Sequence, residues 1–202
     1  MAKAPSQIVQ LRIELVGLKP PIWRRVHVPA DFTLRRLHDV IQATFNWLSW
    51  HLYEFDVSGR KYGEPEFDDR GSGGDRLYSS KNIRLSKLIE WEVDQFAYVY
   101  DFGDDWVHLI IVEKILAPDS SVEYPVLING ELRAPPEDAG GPPGFFEFLQ
   151  AMLDDSHPNH GNVIEWYGYE LFDPDDMELE TVEAQLSRIR AQRRKGPKEP
   201  KS

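Results

Sequence analysis

Between Gln7 and Leu18 the chain alternates with a period of two, placing Ile8, Gln10, Arg12 and Glu14 against Val9, Leu11, Ile13 and Leu15. Successive side chains of a strand point to opposite faces, so this run buries its apolar set as a half-buried strand whose other face meets water. One-sided burial of that kind is typical of antiparallel sheets. Lys19-Pro20-Pro21 then removes two backbone donors and restricts φ, which predicts a turn. Ile22 to Val28 returns as a second strand, so the chain opens on a hairpin.

After Pro29-Ala30-Asp31, the residues Leu34, Leu37, Val40, Ile41, Phe45 and Leu48 recur at helical spacing, with Asp31 or Thr33 placed to cap the first turn. His51 to Val57 reads as a strand, residues 63–82 as a long polar surface loop, and Ile83 to Ile89 as a short packed helix or turn. The strongest β signal follows. Phe96, Tyr98, Tyr100 and Phe102 alternate, Gly103-Asp104-Asp105 supplies turn chemistry, and Trp106 to Leu116 returns. Arg133 to Gly144 holds four Pro and three Gly and is expected to be irregular; Phe145 to Leu153 is a short helix, and Asp173-Pro174 is expected to open the last one. The order of strand, strand, amphipathic helix, strand resembles a β-grasp start. The expectation is one α+β domain over residues 1–190, with a mixed or mainly antiparallel sheet, helices packed on one face, and a basic tail over 191–202 that frays.

Composition narrows the chemistry. The chain has no cysteine, which excludes disulfides, thiolate metal ligands and a cysteine nucleophile. Its formal charge is −11, unevenly spread. From Arg188 onward seven Lys/Arg stand against Glu199 alone, a balance of +6, which leaves −17 on residues 1–187. An acidic body of that kind repels a phosphate backbone. Nucleic-acid or acidic-surface contact is therefore confined to the tail, through Arg188, Arg190, Arg193, Arg194 and Lys195; the plainer role of these cations is to complement a helix C-terminus. No run approaches the roughly 18 apolar residues of a membrane span, and Met1-Ala2-Lys3-Ala4-Pro5 leads into alternating residues instead of an apolar export core. A cytoplasmic location without membrane contact is expected.

Five motifs occur in order: Pro20-Pro21-Ile22-Trp23-Arg24-Arg25; Leu37-His38; His51-Leu52-Tyr53-Glu54-Phe55; Tyr100-Asp101-Phe102-Gly103-Asp104-Asp105-Trp106-Val107-His108; and Pro135-Pro136-Glu137-Asp138-Ala139-Gly140-Gly141. Together they resemble the family named after the third open reading frame of an Ri plasmid, some of whose members are labelled TnpR-type passengers of insertion elements. The resemblance covers roughly residues 7–187. It implies an α+β fold and a setting in plasmids and transposons, but no established activity, and no serine-recombinase pattern is present to support a resolvase. Family members often carry Cys on both sides of the Pro-Pro-Glu-Asp segment, where this chain has Ala134 and Ala139, so thiol chemistry is not available to it.

Four groups of residues are candidates for a binding cleft. Asp101, Asp104 and Asp105 beside His108 suit a hard cation, or serve only as turn formers that accept from nearby N–H groups; a lone hairpin supplies few converging ligands, which favours the turn. Glu137 and Asp138, bounded by Pro and Gly, either meet Asp101 or Asp104 across a cleft, or cap the helix at Phe145 or pair with Arg24 or Arg25. His38, His51 and His108 form no i, i+4 pair and no His-Glu-x-x-His motif, and His157 and His160 fall in a turn. Trp23 and Arg25 share one face of a strand, and Trp47, Trp50 and Trp106 either wall a pocket or pack the core. Together with Tyr100, these define a cleft from which the sequence names no cofactor and no metal. There is no phosphate loop, nucleophile elbow or dinucleotide fingerprint. Three functions remain open: a non-catalytic binding or adaptor domain, favoured because no catalytic constellation is recognisable; a metal-dependent hydrolase or nuclease using Asp101, Asp104, Glu137 and Asp138; and nucleic-acid association through the tail.

Overall fold

The computed structural model describes residues 5–68 and 76–195. The opening alternation becomes β1 (Ile8–Leu15), which pairs antiparallel with β2 (Trp23–Pro29) in the register Arg12 opposite Arg25 and Glu14 opposite Trp23. α1 (Leu34–Phe45) follows, then β3 (Tyr53–Val57), β4 (Arg60–Gly63), β5 (Leu77–Ser79), the short α2 (Leu85–Glu90), β6 (Gln95–Tyr100), β7 (Trp106–Leu116) and β8 (Val126–Glu131). α3 (Gly141–Leu153), α4 (His160–Tyr167) and α5 (Leu179–Lys195) complete the chain. The eight strands form one sheet in the order β5-β4-β3-β6-β7-β1-β2-β8, antiparallel throughout except for the β4–β5 pair. The strand that follows α1 is held by β6, so β6 and β7 lie between it and the opening hairpin.

The alternation decides which face is covered. Val9, Leu11, Ile13 and Leu15 are buried with Val26 and Val28, and with Phe55, Tyr98 and Ile110 from neighbouring strands, under α1, whose Leu37, Val40 and Ile41 are fully enclosed. Each such aliphatic side chain contributes about 1.5–3 kcal/mol by leaving water. Thr33, not Asp31, caps α1, its hydroxyl accepting from Arg36 N–H; Asn46 ends the helix in the left-handed conformation. α5 lies against α1 through Val182 and Leu186, and Gln185 reaches Asn46. The opposite sheet face is half-buried and mixes Val107, Leu109 and Ile111 with polar residues, Arg25 being bidentate to Glu113 at 2.6 and 2.7 Å and Gln10 donating to the same carboxylate. Arg25 and burial act in opposite senses on Glu113, and the guanidinium wins, lowering its carboxyl to about 2.

Arg24 points the other way, into the core, with no carboxylate partner among the described residues. It donates to three carbonyl oxygens, those of Thr44, Trp23 and Glu131, and burial lowers its guanidinium to about 10. Thr44 lies in the last turn of α1, so this cation meets the negative end of the helix.

Several elements differ from the sequence expectations. β4 and β5 lie within or beside the segment read as loop, and β8 had no signal. β5 and β8 are the two edge strands and β4 is only four residues long, so none has enough to bury to show strong alternation. α4 likewise buries no residue fully. Residues after Pro174 are not yet helical, because Arg133 N–H holds the Pro174 carbonyl at 2.7 Å and Asp side chains close turns at Asp175 and Glu178. At the other end α5 continues past Ala191 to Lys195; the remainder of the expected tail lies outside the described residues. Arg190 pairs with Glu183 and donates to the Pro125 carbonyl, while Arg193 reaches Asp31, so both are engaged within the fold. Among the described residues no helix is long and apolar enough to cross a membrane.

Candidate functional site

Three irregular segments meet at the end of the sheet where β6 finishes and β3 begins. The first leaves α1 at Asn46, turns through Ser49 in a left-handed conformation, and enters β3 through His51. Gln42 supports this turn, its side-chain oxygen accepting from Ser49 N–H. The second is the β6–β7 turn, where Asp101 and Asp105 both have positive φ and Asp105 N–H returns to the Asp101 carbonyl. The third is the Pro135–Gly141 loop, with Asp138, Gly140 and Gly141 at positive φ.

Tyr100 joins the first segment to the third. Its hydroxyl accepts from the N–H groups of Trp50 and His51 and donates to the Glu137 carboxylate at about 3 Å. Burial first, and then the nearby Glu137 charge, push the phenol up, so it remains a donor. Glu137 also accepts from Leu48 N–H at 2.6 Å. Burial raises the Glu137 carboxyl above the usual range, against the opposing pull of Leu48 N–H and Tyr100. Beneath lies Trp47, stacked on Tyr100 with ring centres 5.1 Å apart and donating from its indole to the Pro135 carbonyl.

The second and third segments touch backbone to backbone. Through its side-chain Oδ2, Asp104 also accepts from Gly140 N–H at 2.9 Å. A Cβ on Gly141 would lie 2.3 Å from the Asp104 carbonyl oxygen, an approach only glycine permits.

This docking brings His51, Asp101 and Asp138 together. Nε2 of His51 stands 3.0 Å from Asp138 Oδ1 and 3.6 Å from Asp101 Oδ2. Although close, neither oxygen lies in line with the ring nitrogen: Nε2 is shielded from solvent and makes no hydrogen bond of acceptable geometry. Asp101 combines both roles that its sequence context suggested. One oxygen accepts from Gly103 N–H, closing the turn, while the other faces the imidazole. One ligand atom from each of the three residues lies within 4.8 Å of the others. A divalent cation with bonds of about 2.1 Å places tetrahedral or cis ligands roughly 3.0–3.4 Å apart, close to the two contacts at His51. The donor set, one imidazole and two carboxylates, suits Mn²⁺, Zn²⁺ or Fe²⁺ and leaves coordination positions open.

Beside Glu137 and Asp138 opens a cleft of about 590 Å³, walled by Leu48, Trp50, Trp166, Tyr167 and Tyr169. At its far end Arg133 pairs with Glu178 at 2.6 Å and lies 5.0 Å over the Phe172 ring. Of the residues proposed from sequence, His51, Tyr100, Asp101, Asp104, Glu137 and Asp138 converge. Four do not. Trp23 and Arg25 belong to the opposite sheet face, where Trp23 donates to Glu131. Trp106 and His108 are enclosed in the core, His108 donating from Nδ1 to the Trp106 carbonyl with Phe45 and Trp47 edge-on to its ring. Neither Glu137 nor Asp138 caps α3 or pairs with Arg24 or Arg25; Gly140 is the residue that precedes α3. Sequence reasoning missed the α4 wall, although Trp166-Tyr167-Gly168-Tyr169 is an aromatic cluster around a glycine in a polar stretch.

The fold and this site define an α+β protein with a one-sided, mostly antiparallel sheet and a His/Asp cluster built from three docked loops. The chain belongs to the plasmid pRiA4b ORF-3-like protein family, whose model matches residues 7–181. It is 36% identical over 169 residues to the uncharacterized protein y4hQ of Sinorhizobium fredii, a match covering 83% of this chain and 84% of that one. Among solved structures it resembles the protein of unknown function MM3350 from Methanosarcina mazei Go1, with a TM-score of 0.75, 35% identity, and coverage of 86% of this chain and 96% of the other.

Proposed function

We propose that this protein is a cytoplasmic binding domain, working in the setting of mobile elements, that holds a divalent cation on His51, Asp101 and Asp138 and receives a ligand in the adjoining cleft. The observation that carries this reading is the solvent-shielded Nε2 of His51, facing two carboxylates without an in-line hydrogen bond. A buried polar atom left so is costly, and a cation between the three groups removes the cost. Both carboxylates also stand on left-handed backbone, strain of the sort that collects at ligand clamps. The family's plasmid origin supports the mobile-element setting.

The test is calorimetric titration of the full chain with Mn²⁺ and Zn²⁺, paired with thermal unfolding. One equivalent should bind, and at a hundredfold excess over Kd the cation should add about 2.7 kcal/mol of stability. Asp138→Asn, at an exposed position, should weaken binding about tenfold or more without lowering the apo melting temperature. Absence of heat and of stabilisation with either ion would remove the reading.

Hydrolysis is the second reading, favoured by one feature: Glu137, with its raised carboxyl, adjoins Asp138 and is suited to accept a proton from water at the cation. Turnover of a phosphoester or amide that Glu137→Gln abolishes, with Mn²⁺ affinity retained, would establish it.

A further inference from the structure

The cleft beside the His/Asp cluster has a chemistry of its own. Trp50, Trp166 and Tyr169 are 66%, 50% and 69% exposed, so three large ring surfaces face solvent around one depression. Exposed aromatic surface concentrated at a concave site marks a binding region, whereas scattered rings do not. Charge restricts what the rings can receive. Arg133 is the one cation among the described lining residues, and Glu178 already neutralises it. Glu137 and Asp138 remain, two acidic groups with no basic partner among the described residues other than the imidazole of His51. Ring faces are electronegative, and with carboxylates beside them they repel phosphate and carboxylate ligands and attract organic cations. The −17 carried by residues 1–187 extends that preference beyond the cleft.

Arg133 shows how such a guest is accommodated: its guanidinium lies over the Phe172 ring with a carboxylate at its edge. The cleft repeats those components, with Trp50, Trp166 and Tyr169 for Phe172 and Glu137 and Asp138 for Glu178. Its volume of about 590 Å³ exceeds one side chain and suits a short peptide segment.

We infer that the cleft binds a basic side chain of a peptide, with arginine as the form that best matches planar rings and paired carboxylate oxygens. The inference rests on the reading of this cleft as a binding site and concerns the cation-free protein, in which Asp138 is available to the guest.

The experiment titrates the full chain, in EDTA, with a blocked peptide containing one arginine and with the same peptide containing citrulline, its neutral isostere. Indole fluorescence and the indole N–H signals of Trp50 and Trp166 report occupancy. Saturable binding of the arginine peptide is expected, with the citrulline peptide roughly tenfold weaker or more. Trp166→Leu, at a half-exposed position, should reduce binding by a similar factor while the melting temperature holds. Equal binding of both peptides, or no saturation by the arginine peptide on folded protein, overturns the inference. A parallel Mn²⁺ titration separates the two proposals: Mn²⁺ binding without peptide binding removes this one alone, and peptide binding without Mn²⁺ binding removes the cation alone.

Discussion

Replacing Gly141 with alanine tests whether loop docking creates the site. The added Cβ would lie 2.3 Å from the Asp104 carbonyl oxygen, and real Cβ atoms essentially never come within 3.0 Å, so at least 0.7 Å of movement is required. The atom it meets is backbone, in a turn closed by Asp101 and Asp105, and cannot swing aside as a side chain would. Two costs add. Alanine in the left-handed region costs about 1–2 kcal/mol, and forcing apart packed groups typically costs about 1–3 kcal/mol. A loss of about 2–5 kcal/mol follows, which lowers the melting temperature of a chain this size by roughly 4–20 °C. Displacement of Asp138 from Asp101 should also weaken Mn²⁺ about tenfold or more. Urea and thermal unfolding with calorimetry measure both effects. Gly161→Ala is the control, because nothing lies within 4 Å of its Cβ and the residue sits inside α4, where alanine should be neutral or stabilising. If Gly141→Ala unfolds at the same midpoint and binds Mn²⁺ as before, the loops do not depend on this contact and the reasoning fails.

Two further expectations concern buried ionisable groups. Burial holds His108 at about 3 against 6.5 when unfolded, so its neutral form is favoured in the fold; stability is full above pH 6.5 and is lost as pH falls toward 3. At 1.36 kcal/mol per unit, acidification from pH 6.5 to 5 should cost about 2 kcal/mol through this group, and His108→Phe should remove that part of the urea-measured slope; an unchanged slope would exclude His108 as its source. Arg24→Met should destabilise by about 2–4 kcal/mol, because three carbonyls, two of them in buried bonds, lose a charged donor; a variant as stable as the parent would mean that burying the guanidinium costs as much as its bonds contribute.

Residue order alone was enough to place the opening hairpin, α1 and the β6–β7 pair. In each, the period of the apolar residues matches the geometry of the element, and local spacing is all that such a signal needs. It also marked the Asp101 turn and the Glu137-Asp138 loop, since Gly, Pro and Asp declare irregular backbone by their own φ preferences. The edge strands β5 and β8, the short β4 and the helix α4 were not legible, because they bury too little to need a pattern. Which aspartate faces which histidine depended on the tertiary structure. His51 and Asp138 are 87 positions apart, and their meeting requires β3 to pair with β6 and Gly141 to press against Asp104. The same packing drew His108 and Trp106 into the core and turned Trp23 and Arg25 to the far face. Strand alternation could separate Arg24 from Arg25, but only the assembled sheet decided which of its two faces the helices would cover.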